Sequence, residues 1–158
     1  MKQVVAIVGM PGAGKGMAAK FFAEQKIPVI RFGDLTEEVI QERGLALNPE
    51  NERVVREDLR REYGMEAYAV KAWPKIQKAL EDNQIVAIDG LYSWEEFLYL
   101  RKQISNLILL SIFASPKIRY DRLAKREVRP LKPEEASARD FAEIENLNKG
   151  GPIAMADY

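Results

Sequence analysis

Residues 9–16 read Gly-Met-Pro-Gly-Ala-Gly-Lys-Gly. The apolar run Val4, Val5, Ala6, Ile7 and Val8 comes directly before them, and the helix-forming residues 17–23 follow. Strand, glycine-rich turn, lysine and helix in this order make a phosphate-binding loop. The glycines let the backbone curl until successive N–H groups face one anion. The helix N-terminus adds a partial positive charge. Lys15 is placed to reach the β- and γ-phosphates of a nucleoside triphosphate. Gly9, Met10, Pro11, Gly12, Ala13, Gly14, Lys15, Gly16 and Met17 are therefore the expected nucleotide-binding segment. The common form of the loop puts Ser or Thr after the lysine to hold Mg²⁺. Gly16 and Met17 stand there instead, so the metal must rely on water and on carboxylates elsewhere.

Composition narrows the chemistry further. The chain has 158 residues, which suits one domain with a real core, expected over 1–158. Its 24 basic and 24 acidic residues cancel, which argues against bulk electrostatic binding of nucleic acid. It has no cysteine and no histidine, so thiolate chemistry, disulfides and imidazole catalysis are excluded. No apolar run reaches the ~18–20 residues of a membrane span. A soluble, cytoplasmic protein is the expectation.

Strand and helix signals alternate along the chain, which predicts an α/β fold with a parallel sheet. Strands are expected at 4–8, 27–31, 85–88 and 107–113. Helices are expected at 15–25, 50–63 and 66–81; the last keeps Ala69, Ala72, Ile76 and Ala79 on one face at helical spacing, with Pro74 kinking it. Asp34, with Glu37 three residues on, reads as a helix cap. Ser93 to Glu96 is a capping box, and Ser115-Pro116 opens a helix. A last helical stretch follows Pro133. Residues 34–82 hold consecutive helices with no strand between them. They read as an inserted cap over the nucleotide loop.

Asp89, at the carboxyl end of a strand, is the expected Mg²⁺-organising carboxylate, although Asp89-Gly90 also suits a turn. Gly33-Asp34 opens onto the same crevice. This pair resembles the Gly-Asp that follows the second strand of nucleoside monophosphate kinases, which implies that Asp34 helps organise metal-bound water or the acceptor; a plain helix cap is an equal reading. Arg119, Arg122, Lys125, Arg126, Arg129 and Lys132 form a basic cluster, with Arg122 and Arg126 four apart on one helix face. Guanidinium groups suit the charge of a transferring phosphoryl group, so 119–140 is expected to be a short arginine-rich lid, with Arg122 and Arg126 closing over the phosphates. A solvated helix face is the plainer reading of the same charges. Arg139 would return from the lid toward the substrate. Arg53, Arg56, Arg60 and Arg61 lie on the insertion, where one or two could hold an acceptor phosphate. Trp73, Trp94, Tyr63 and Tyr68 suit core packing better than base stacking.

The ordered set of Gly9–Gly16, Gly33-Asp34, Asp89-Gly90, Arg122-Leu123-x-x-Arg126 and Arg139-Asp140 resembles the nucleoside monophosphate kinase superfamily over nearly the whole chain. Phe32 to Leu35, Leu59 to Met65 and Ile88 to Leu91 are similar to archaeal proteins described as adenylate-kinase-related or dephospho-CoA-kinase-like. So is Ala156-Asp157-Tyr158, which in those families opens a last strand and would imply a shortened chain. The resemblance implies a three-layer P-loop NTPase fold and ATP-dependent phosphoryl transfer, with Mg²⁺, to a small nucleotide-like acceptor. Two departures stand out. Glu37 and Ser93 occupy positions where adenylate kinases carry the arginines that grip the acceptor's phosphate. Dephospho-CoA kinase-like chemistry at a 3′-hydroxyl is a second reading. A nucleotide-hydrolysing switch acting on a macromolecular partner is a third.

Overall fold

The computed structural model describes residues 2–127, 130–145 and 151–157. Arg129 of the basic cluster and Tyr158 lie outside these residues. Four parallel strands, β1 (Gln3–Val8), β2 (Val29–Arg31), β3 (Ile85–Asp89) and β4 (Leu107–Ser111), form one sheet in the order β2-β3-β1-β4. The register sets Ile7 beside Asp89 and Leu110, and Arg31 beside Asp89. The carboxyl ends of β1, β2 and β3 therefore open onto one crevice.

Alternation along β1 explains the layers. Val4, Ala6 and Val8 point into the larger core, whereas Ile7 points to the opposite face. On that opposite face Ile7 and Ala87 meet Ala19 of α1 (Lys15–Glu24), with Phe22 alongside. The larger core holds α2 (Phe32–Glu42), α3 (Pro49–Tyr63), α4 (Ala67–Asp82) and α5 (Trp94–Gln103). This is the expected three-layer α/β P-loop architecture. Helix α6 (Pro116–Ala124) packs on α7 (Pro133–Glu145), and the short α8 (Gly151–Ala154) lies against α5 and β4.

Three helices do fill the span between β2 and β3. Ala69, Ala72 and Ile76 of α4 are fully buried, at the helical spacing read from the sequence, and the helix runs uninterrupted through Pro74. Asn48 caps α3, accepting from the Asn51 amide at 2.8 Å with Pro49 in the first turn. The capping box at α5 is formed. Ser93 Oγ accepts from the Glu96 amide at 3.0 Å, and the Glu96 carboxylate accepts from the Ser93 amide at 3.1 Å. Helix α6 starts at Pro116, but the Ser115 side chain makes no capping bond. No helix among the described residues is long and apolar enough to cross a membrane.

Two expectations about helix ends need correction. Asp34 is not the cap of α2. Strand β2 passes directly into the helix at Phe32, whose buried ring stacks on Tyr68 at 6.4 Å, so Asp34 sits in the first turn. Arg126 is not on the face of α6. The helix ends at Ala124, and the Leu123 carbonyl accepts from the Leu131 amide at 3.1 Å instead of continuing the helical ladder.

Candidate functional site

The loop between β1 and α1 is shaped by close approach as much as by curvature. Gly9 has φ +142°, and a Cβ there would stand 2.4 Å from the Ile112 carbonyl oxygen. Gly12 has φ +79°, and its Cβ would stand 2.7 Å from the Arg119 carbonyl oxygen. Strand β4's end and helix α6 thus press against the loop backbone, and only glycine fits. Helix α1 begins with no side-chain cap and no acidic residue in its first turn, which leaves its N-terminal amides available to an anion. Pro11 and Ala13 are buried beneath the loop, whereas the Met17 side chain is 71% exposed.

Lys15 curls over this loop. Its Nζ donates to the Gly9 carbonyl at 2.8 Å and to the Met10 carbonyl at 3.3 Å, and lies 5.8 Å from the centre of the Tyr92 ring. Burial lowers its pKa. Asp89 and Glu143 oppose that shift, while Arg139 and Arg126 add to it. Asp89 ends β3 beside the loop. Burial raises its pKa, Lys15 and Arg31 pull it back, and Asp34 adds to the rise. The Arg31 Nε is 3.8 Å from the Asp89 carboxylate. Lys15, Asp89, Asp34, Arg126 and Arg139 therefore share one electrostatic neighbourhood.

Arg122 meets the loop from α6, donating to the Ala13 carbonyl at 2.9 Å. Arg119 does something else. It is only 4% exposed and forks onto the equally buried Asp140 of α7, with Nη1 to Oδ1 at 2.8 Å and Nη2 to Oδ2. The same guanidinium donates to the Pro11 carbonyl at 3.0 Å and the Ala114 carbonyl at 3.1 Å. Arg119 thus ties loop, α6 and α7 together and is not free to close over phosphates. On the insertion, Arg56 pairs with Glu52 at 3.3 Å and Arg61 with Asp58 at 3.1 Å. Arg60 Nε is buried without a hydrogen-bond partner, and its charge reaches Tyr68 and Glu96. Glu37 is exposed on α2. Ser93 is committed to its cap and to the Met65 carbonyl at 2.9 Å. Trp73 and Trp94 pack against the core, as expected, and Tyr63 is exposed.

Sequence reading missed Glu143, Tyr92 and the pairing of Arg119 with Asp140. Tyr92 follows Asp89-Gly90 closely enough to have been considered. Glu143 is one acidic residue on a charged helix and carries no local signal.

A family model described as an AAA domain matches residues 5–143. A UPF0200 protein of Methanocaldococcus jannaschii is 37% identical over 98% of this chain and 79% of its own. One from Pyrococcus furiosus is 38% identical over 98% of this chain and 85% of its own. The chain belongs to the UPF0200 family, with an AAA-type P-loop domain. The names of these UPF0200 relatives state no activity. Among solved structures, a sugar kinase from Janibacter aligns with TM-score 0.53 at 17% identity, over 94% of this chain and 80% of its own. An uncharacterized protein from Eubacterium ventriosum aligns with TM-score 0.58 at 18% identity, over 99% and 87%. Likeness at that level shows the fold alone, an α/β architecture that this chain shares with both proteins.

Proposed function

We propose that this protein transfers the γ-phosphoryl group of ATP, with Mg²⁺, to a small nucleotide-like acceptor, in the manner of a nucleoside monophosphate kinase. The observation that carries the reading is the position of Lys15. Its ammonium rests on the carbonyls of Gly9 and Met10, at the mouth of a loop whose amides and helix end attract anions. Residues 9–17 would hold the triphosphate. Arg122 already touches this loop, and Arg126 and Arg139 lie close enough to influence Lys15, so all three would meet the phosphate oxygens. Residues 119–140 then serve as the lid and 34–82 as the acceptor cap.

The donor set suits Mg²⁺ in its chemistry. Asp89 and Asp34 offer hard carboxylate oxygens, and no hydroxyl follows Lys15. They would hold the ion through oxygen or water, and it would neutralise phosphate charge.

Calorimetric titration with ATP and Mg²⁺ tests the reading. Replacing Lys15 by Ala removes one charged hydrogen-bonding partner, about 1.5–3 kcal/mol, so affinity should fall roughly 10- to 150-fold. Unchanged affinity, or no binding by the parent at millimolar ATP, refutes it. ADP release that depends on an added acceptor supports the transferase, whereas release indifferent to acceptors supports a hydrolytic switch.

A further inference from the structure

The carboxyl ends of three neighbouring strands present three different groups in a row. Strand β1 runs into the loop that carries Lys15, β3 ends on Asp89, and β2 ends on Arg31. Arg31 is the register partner of Asp89, and its Nε stands 3.8 Å from the carboxylate. Adjacent strands lie about 4.8 Å apart, so Arg31 is roughly 10 Å from the strand that leads into the loop, with Asp89 between them.

Local folding rules do not ask for an arginine there. Arg31 occupies the N-cap position of α2, and its side chain caps nothing. Ser, Thr, Asp and Asn suit that position, and the positive end of the helix dipole works against a cation. The contact with Asp89 is longer than a hydrogen bond, and the Arg31 side chain is 64% exposed. An ion pair of that kind is weak and easily given up. A Cβ on Gly33 would meet no atom within 4 Å, so the start of α2 is open beside it. Several cations of the insertion are already engaged at hydrogen-bonding distance. Arg43 and Arg61 share Asp58, Arg56 holds Glu52, and Lys75 holds Glu38.

Arg31 and a metal ion would compete for one carboxylate. Two cations on Asp89 repel, so Mg²⁺ there would displace the guanidinium and leave it without a counter-charge. We propose that Arg31 then takes an oxyanion of the acceptor, a phosphate monoester group, on the side of Asp89 away from the donor loop. A guanidinium fork matches two oxygens of such a group. The proposal rests on the phosphotransferase reading and names the anchor of its acceptor. Because the acceptor draws Arg31 off Asp89, acceptor and Mg²⁺ strengthen each other's binding by the same factor in either direction.

Ribose 5-phosphate and ribose serve as probes, alike in body and different in the phosphate. Each is titrated calorimetrically into protein whose loop is filled with a non-hydrolysable ATP analogue, with and without Mg²⁺. The parent should bind ribose 5-phosphate roughly 10- to 150-fold more tightly than ribose, the worth of one charged contact. Mg²⁺ should tighten ribose 5-phosphate binding by about fivefold or more. Arg31→Met should lose most of both effects. Arg31→Lys, which keeps the charge but not the fork, should recover part of the first. In Arg31→Met, half-saturation by the analogue should need less Mg²⁺ than in the parent, because no guanidinium competes for Asp89. A side chain that only shapes the crevice would not move the metal requirement that way. Equal binding of ribose 5-phosphate by the parent and Arg31→Met, or a higher Mg²⁺ requirement in the variant, overturns the proposal. If the parent binds no analogue, the transferase reading fails instead, and ribose 5-phosphate titrated alone into parent and variant still decides whether Arg31 holds it.

Discussion

Replacing Asp140 by Ala should unfold more of this protein than any change at its surface. Asp140 is 6% exposed and takes two hydrogen bonds from Arg119 and a third from the Tyr120 hydroxyl at 3.0 Å. Removing the carboxylate strands the Arg119 guanidinium, itself buried, without its counter-charge. Breaking one side of a buried pair costs about 3–5 kcal/mol. For a chain of this size each kcal/mol lowers the melting temperature by roughly 2–4 °C, so the expected fall is roughly 6–20 °C. A second variant separates charge burial from loss of shape. Arg119→Met with Asp140→Leu removes both charges and should recover most of that stability. It cannot replace the donors to Pro11 and Ala114, so the loop loses its tether and ATP affinity should remain low. Thermal and urea unfolding by circular dichroism, with calorimetric titration of ATP, measures both effects. The pH dependence follows the same pair. The Arg119 hydrogen bonds hold the Asp140 carboxyl below its usual 3.8, so this stability is present above that pH and is lost as pH falls through the lower, folded value. A loss under about 1 kcal/mol for Asp140→Ala, or a double variant as unstable as the single one, would refute the reasoning.

Three further outcomes are expected. Gly9→Ala must push against the Ile112 carbonyl, a backbone atom, at positive φ, and should cost about 1–3 kcal/mol in urea unfolding and abolish ATP binding. Gly16→Ser meets no atom within 4 Å, so the fold should stand, and the new hydroxyl beside Lys15 should strengthen Mg²⁺-dependent ATP binding by roughly fivefold, the ~1 kcal/mol of one such contact; unaltered magnesium dependence in calorimetry counts against the metal assignment. Burial pushes the Glu96 carboxyl up to about 7 from 4.5, so its contribution to stability is full below pH 4.5 and lost as pH rises through 7. Glu96→Gln, which keeps the amide contacts to Tyr92 and Ser93, should therefore gain on the order of 3 kcal/mol over the parent at pH 8 and little at pH 4, read by urea midpoints.

What the sequence disclosed was governed by neighbours in the chain. The loop, its lysine and the capping box at Ser93 are made by residues within a few positions of one another, and their geometry follows from local rules. So does the buried stripe of α4, whose spacing is its own signal. Failures arose where a distant partner decides. The end of α6 is set by a hydrogen bond from Leu131, so spacing alone placed Arg126 on a face it does not share. The core's demand for the Phe32 ring starts α2 early and moves Asp34 off the cap position. Arg119 looked like its neighbour Arg122 because its partner, Asp140, lies on another helix. Arg31 reaches Asp89 across the sheet from a strand far off in the chain, and no stretch of sequence announces the pair.

The charges around Lys15 also explain why this site suits an anion. In the free protein, burial works against the lysine's charge, and Arg139 and Arg126 add to the opposition. The Gly9 and Met10 carbonyls and the Asp89 and Glu143 carboxylates supply the compensation. A polyphosphate entering the loop reverses the sign of the arginine contribution, because each cation now faces an anion shared with the lysine. The repulsion held in the free state becomes attraction toward the ligand without any side chain having to change its charge. Arg119, locked on Asp140, cannot join this exchange. Its charge is already spent on holding the loop in the shape that makes the exchange possible.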